Sequence, residues 1–213
     1  MKFKGILFDL DGVLVHTDEL HYRAWKKMAD SHGIFFNKNI NNQLRGVSRM
    51  ESLDIILRNY HGPALSPEEK EALAEEKNHY YKEELMSMTP DDVTAEVCET
   101  LSALKAAGIR VAVASSSKNT KFILKQVGLD DVFDAVSDGT NIKKSKPDPE
   151  VFLKAAEYIA LKPQDCLVVE DAVAGIEAAK RGGMKAAGIG DAAFYEKTDY
   201  SISTFADLKH IVL

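Results

Sequence analysis

From Ala95 to the C-terminus, short apolar runs alternate with amphipathic stretches, and this alternation narrows the fold more than any other feature. Spacing of apolar residues predicts helices at about 95–107, 119–127, 149–160 and 173–181. Strands are expected at 109–114, 133–136, 166–169 and 185–189, with a weak last one near 200–202. Strands and helices taking turns imply an α/β fold, a Rossmann-like doubly wound parallel sheet. Residues 4–8 form a near-continuous apolar run, as expected of a strand covered by helices on both faces.

The segment 17–88 reads differently, as all helix. Leu20, Ala24, Trp25, Met28 and Ala29 recur at helical spacing from Glu19, and Gly33 ends that helix. The Asn-rich stretch 37–43 is expected to be a loop or a short irregular turn. Helical patterning resumes at Glu51, with Leu53, Ile56 and Leu57 on one face, and stops near His61-Gly62-Pro63. Ser66-Pro67-Glu68-Glu69 is a strong helix start, with Pro in the first turn and acids at the positive end of the dipole. That helix should run to about Met86. A helical cap domain, 17–88, is thus expected as an insertion after the first strand of a core formed by 1–16 and 89–213.

A net charge of -6 argues against a nucleic-acid partner. It also means that an anionic substrate must be drawn by local cations or a metal. Cys98 and Cys166 follow no metal spacing, and nothing demands a disulfide between them. No apolar run reaches membrane-spanning length and the first residues carry no leader pattern. A cytoplasmic, monomeric protein without a membrane partner is the expectation.

Ligands of such sheets bind beyond the carboxyl ends of the strands. Asp9-Leu10-Asp11-Gly12 follows the first strand, Ser115-Ser116-Ser117-Lys118-Asn119 the second and Glu170-Asp171 the fourth, while Lys146 lies in Ser145-Lys146-Pro147. Asp9 and Asp11, two apart on extended backbone, point to one side and repel, so an opposing charge or shared proton is needed. Asp9, Glu170 and Asp171 make an all-oxygen set suited to a hard cation, Mg²⁺ above all. Asp171 could also cap the following helix, although two acids directly after Leu167-Val168-Val169 favour the metal, and the serines could be an ordinary cap. Lys146 alone could be a solvated charge. Together, a metal, hydroxyls with backbone N–H groups and a lysine point to phosphoryl transfer. An Asp carboxylate can be the nucleophile, with Asp11 as general acid and base.

These four ordered stretches resemble the motifs of the haloacid dehalogenase-like superfamily, over essentially the whole chain. The resemblance implies a Rossmann-like core, an Asp9 nucleophile, and Mg²⁺ held by Asp9, the Asp11 carbonyl and Asp171 with Glu170 close by. Within the cap, Leu20-His21-Tyr22-Arg23-Ala24-Trp25, Leu44-Arg45-Gly46-Val47-Ser48-Arg49 and Lys77-Asn78 are similar to the superfamily's hexose-phosphate mutases. That likeness implies interconversion of β-glucose 1-phosphate and glucose 6-phosphate through β-glucose 1,6-bisphosphate, with small-molecule sugar phosphates as partners. It implies that Ser115 and Lys146 hold the reacting phosphate and Arg49 the distant one, flanked by Gly46, Val47 and Ser48. Ser116, Ser117, Lys118 and Asn119 would line the core side, while His21 and Thr17 would tune Asp11 and the hinge. Trp25 is expected to pack the cap, His21 could be a structural histidine, and Lys77 could be a solvated lysine. A sugar-phosphate or phosphoglycolate-type phosphatase of the same superfamily is the rival reading.

Overall fold

Strand β1 (Gly5–Phe8) has all four residues buried and lies between two later strands. It pairs in parallel with β2 (Arg110–Ala114) through Gly5–Arg110 to Phe8–Val113, and with β4 (Cys166–Glu170) through Gly5–Cys166 to Phe8–Val169. The structure, a computed structural model, describes residues 2–44 and 47–213. Among the described residues, the sheet adds β3 (Ala135–Ser137), β5 (Lys185–Gly188) and β6 (Tyr200–Ser201), in the order β3-β2-β1-β4-β5-β6, all parallel. The order reverses at β1, and in sheets of this kind ligands bind beyond the strand ends at that switch point, here the ends of β1 and β4.

Helices cover this sheet as the alternation requires. They are α5 (Ala95–Ala106), α6 (Thr120–Gln126), α7 (Glu150–Tyr158), α8 (Val173–Arg181) and the terminal α9 (Leu208–Val212), numbered after four helices of the insertion described below. Leu7, Ala112 and Val168 of the sheet pack in one cluster with Phe152 and Ala155 of α7, Ile159 just after it, and Ile176 and Ala179 of α8. Fully burying side chains of this kind contributes roughly 1.5–3 kcal/mol each. The two cysteines are unpaired: Cys98 is exposed, while Cys166 is buried, which pushes its thiol pKa up to about 12 and keeps it inert.

The chain divides into two compact units, Met1–His16 with Thr89–Leu213, and Thr17–Met88. The second contains α1 (Asp18–Ser31), α2 (Lys38–Asn42), α3 (Arg49–Ile56) and α4 (Pro67–Leu85). Trp25, Met28 and Ala29 of α1, Leu53 and Ile56 of α3, and Leu73 and Ala74 of α4 share one apolar cluster. Capping boxes start α3 and α4: Ser48 with Glu51, and Ser66 with Glu69, each satisfy two otherwise orphaned N–H groups. The Ser48 box starts α3 two residues before the expected point.

Stretch 37–43 departs from expectation, since it contains a helical turn. Asn37 accepts a hydrogen bond from Ile40 N–H, and Ile40 is buried in the cluster with Trp25. One apolar residue and one cap among polar neighbours are too faint a periodic signal, and tertiary burial decides the conformation. Among the described residues, no helix is long and apolar enough to cross a membrane.

Candidate active site

The ladder between β1 and β4 continues one residue past the strand, with Asp9 N–H donating to the Val169 carbonyl at 3.0 Å. That bond sets Asp9 beside Glu170, the last residue of β4. The backbone then reverses tightly, with Gly12 N–H donating to the Val15 carbonyl at 2.7 Å and Gly12 at φ +81°. A Cβ there would stand 2.1 Å from Asp171 Oδ2, so the turn needs glycine for both conformation and room.

Lys146 ties the two strand ends together. Its Nζ donates to Asp9 Oδ1 at 2.6 Å and to Glu170 Oε1 at 2.5 Å, and lies 4.9 Å from the centre of the Phe152 ring. The residue is only 4% exposed. Burial opposes its charge, but Asp9 and Glu170 more than compensate and hold its pKa well above the ordinary value. Glu170 is pushed up to about 7, first by burial and despite the pull of Lys146. One ammonium does not neutralise two buried carboxylates. Glu170 Oε2 also accepts from the N–H groups of Asp171 and Ala172, at 3.1 and 3.2 Å, so both of its oxygens are engaged.

Asp9, Glu170 and Asp171 each offer a carboxylate oxygen, and these oxygens lie within 4.8 Å of one another. With all three carboxyls ionised, the trio carries two more charges than Lys146 supplies. That surplus, presented by oxygen donors only, fits a divalent hard cation such as Mg²⁺. Gly175 was not anticipated from the sequence. A Cβ at Gly175, in the first turn of α8, would come within 1.9 Å of the Glu170 carboxyl, so this glycine makes the space in which Glu170 meets Lys146. Its only sequence signal is a glycine placed early in the helix that follows Glu170-Asp171.

Ser115 is buried at the end of β2, next to β1. Its Oγ accepts from Ser117 N–H at 3.1 Å, and Ser117 Oγ accepts from Asn119 N–H at 3.2 Å. The hydroxyl hydrogen of Ser115 thus remains available to an anion, but two of the N–H groups expected to serve one are already used internally. Ser116 Oγ is buried without a hydrogen-bond partner among the described residues. Asn119 is buried, whereas Lys118 is exposed. Asp11 is half-buried in the turn after β1, and Thr17 is buried at the start of α1.

The helical unit holds a second cluster. Lys77, far from being a solvated lysine, is 3% exposed, and its ammonium donates to His21 Nδ1 at 2.8 Å. The same Nζ lies 4.3 Å from the Tyr81 ring centre and 4.9 Å from that of Trp25, a cation–π cage. His21 stacks on Tyr81 at 4.0 Å. Burial first, then the charges of Lys77 and Arg49, hold the His21 pKa well below its usual value, so the imidazole is the neutral acceptor in this pair. Trp25 is a packing residue, as expected. Arg49 opens α3, with Ser48 as its cap and Val47 half-buried just before. Gly46 lies outside the described residues.

Residues 3–183 match the haloacid dehalogenase-like hydrolase family. The chain is 41% identical to a β-phosphoglucomutase of Bacillus subtilis over 190 residues, covering 88% of this chain and 83% of that protein. It is 30% identical to a phosphorylated carbohydrates phosphatase of Thermotoga maritima, over 85% of this chain and 82% of the other. The crystal structure of a β-phosphoglucomutase from Clostridium difficile superposes with a TM-score of 0.90 at 36% identity, covering 98% and 95% of the two chains. A parallel sheet that sets Asp9 beside Glu170, a loop lysine that bonds to both, a family match over most of the sequence and these relatives lead to one conclusion. The chain is an enzyme of the haloacid dehalogenase-like hydrolase family.

Proposed function

We propose that the enzyme is a β-phosphoglucomutase, converting β-D-glucose 1-phosphate to glucose 6-phosphate through an aspartyl-phosphate on Asp9 and β-glucose 1,6-bisphosphate. The observation that carries this reading is the 41% identity to the B. subtilis mutase, which runs through most of the chain. Asp9 Oδ attacks a phosphorus of the bisphosphate; the P–O bond to the sugar breaks, and Asp11 supplies the proton that the leaving hydroxyl needs. In the return step Asp11 takes the proton of the acceptor hydroxyl as that oxygen attacks phospho-Asp9.

Lys146 neutralises the attacking carboxylate at rest and turns its N–H donors toward the phosphoryl oxygens as negative charge develops there. Ser115 offers its hydroxyl to the same group. Asp9, the Asp11 carbonyl and Asp171 would hold Mg²⁺, with Glu170 steadying Lys146 and the N–H groups beside it. When bound, that ion would supply further positive charge to the transferring phosphoryl group. The distant phosphate requires a second cation. Arg49, forked and permanently charged, is assigned to it in the segment 17–88, which we read as the cap.

A coupled assay tests this: β-glucose 1-phosphate with Mg²⁺ and trace bisphosphate, with and without EDTA, scoring glucose 6-phosphate against free phosphate. The mutase reading expects glucose 6-phosphate in excess, abolished by EDTA and by Asp9→Asn. Free phosphate as the main product would instead support a sugar-phosphate phosphatase, the reading favoured by the 30% identity to the T. maritima enzyme.

A further inference from the structure

Arg49 is already engaged within its own unit. Its Nη1 donates to Glu75 Oε1 at 2.6 Å and its Nη2 to Asn78 Oδ1 at 2.9 Å. The two acceptors stand three residues apart on α4 and so share a face. They differ in kind. Asn78 is buried and neutral, whereas the Glu75 side chain is 63% exposed and charged. The Arg49 side chain between them is 22% exposed.

We propose that Glu75 is a positioning residue that sets the grip of Arg49 on phosphate, an intrachain counter-ion occupying one arm of the guanidinium until substrate displaces it. The inference rests on the assignment of Arg49 to the distant phosphate. Asn78 fixes the orientation of the fork. Glu75 keeps the charge satisfied at rest and can turn into water when an anion arrives. A phosphate brings nearly two charges and three acceptor oxygens, so it displaces a single carboxylate where a sugar hydroxyl cannot.

A mutase gains from such a competitor. Its bisphosphate must release one phosphate from the arginine before presenting that phosphate to Asp9. A carboxylate waiting to retake the guanidinium speeds that release. Because exposed ion pairs are weak, the effect on apparent affinity is about two- to five-fold.

The test is Glu75→Gln in the full chain, with β-glucose 1-phosphate, Mg²⁺ and trace bisphosphate, both products being measured. KM should fall two- to five-fold while kcat does not rise, the pattern of strengthened binding shared by ground and transition states. In an Arg49→Ala background the same substitution should leave KM unchanged, since the carboxylate acts only through the guanidinium. An unchanged or raised KM in the single variant overturns the proposal, as does an equal fall in the double variant. If the native enzyme forms no glucose 6-phosphate, the mutase reading fails separately, and the same cycle read on phosphate release still decides the role of Glu75.

Discussion

Replacing Lys146 by methionine keeps most of the side-chain volume and removes the charge. The native ammonium sits 2.6 Å from Asp9 and 2.5 Å from Glu170, so the variant leaves both buried carboxylates without that counter-ion. Deleting one partner of a buried ion pair costs about 3–5 kcal/mol. At roughly 2–4 °C per kcal/mol for a chain of this length, the variant in EDTA should melt about 10 °C below the native protein near pH 8. Glu170, already at about 7 with the lysine present, rises further without it. An acid whose folded pKa exceeds its unfolded value of about 4.5 binds a proton on folding. Its penalty is full above the folded pKa and shrinks as pH falls toward the unfolded one. The deficit should therefore narrow at about pH 5.5. Mg²⁺ should raise the melting temperature of the variant more than that of the native protein, because its charge substitutes for the lost ammonium. Circular-dichroism melts at both pH values, in EDTA and then in Mg²⁺, make the measurement. A native-like melt at pH 8, or an equal deficit at both pH values, would refute the electrostatic account of this centre.

Other perturbations have outcomes of definite sign. Helix propensity alone makes Gly175→Ala stabilising by up to about 1 kcal/mol. The 1.9 Å approach to Glu170 instead predicts a loss of about 1–3 kcal/mol with at least ten-fold lower kcat, read by melting and steady-state rates. Asp199 accepts from Lys180 and Lys185, both at 2.6 Å, and from Ala186 N–H at 3.0 Å. Burial pushes its pKa up, but these bonds outweigh it and hold the pKa below the ordinary 3.8. Its stabilisation is thus present above that value and lost as pH falls through the lower folded one, so Asp199→Asn should cost about 1–3 kcal/mol near pH 7, the difference closing in strong acid. Lys77→Met removes one of the charges that hold His21 neutral; NMR titration should show the imidazole pKa rising toward 6.5 yet staying below it, because burial is the largest cause. An unmoved titration would show that Lys77 exerts no field there.

Asp9, Glu170 and Asp171, whose carboxylates the structure brings together, are legible as candidates because each stands just beyond an apolar run, where parallel topology sends them to one edge, while Lys146, which meets Asp9 and Glu170, lies in a loop beside a proline. The same regularity predicted the sheet. What escaped depends on contacts remote in sequence. Gly175 has meaning only through the Glu170 carboxyl that would fill its Cβ position. Lys77 stands out in the sequence only through its likeness to the mutases, and its burial becomes evident only once Trp25, His21 and Tyr81 are seen to surround it. The Glu75 bond to Arg49 joins residues 26 apart, which no local pattern announces.

The central place of β1 also governs how the chain can assemble during synthesis. Its partners begin at Arg110 and Cys166, so residues 5–8 leave the ribosome with nothing to pair against for about a hundred residues, roughly 5–20 s of translation. The segment Thr17–Met88 emerges whole in that interval, and its apolar cluster is contained in it. The nascent chain can therefore gather its helical segment while β1 is still unmatched, and Asp9, to which we assign the phosphoryl group, stays uncovered until the second half of the protein arrives.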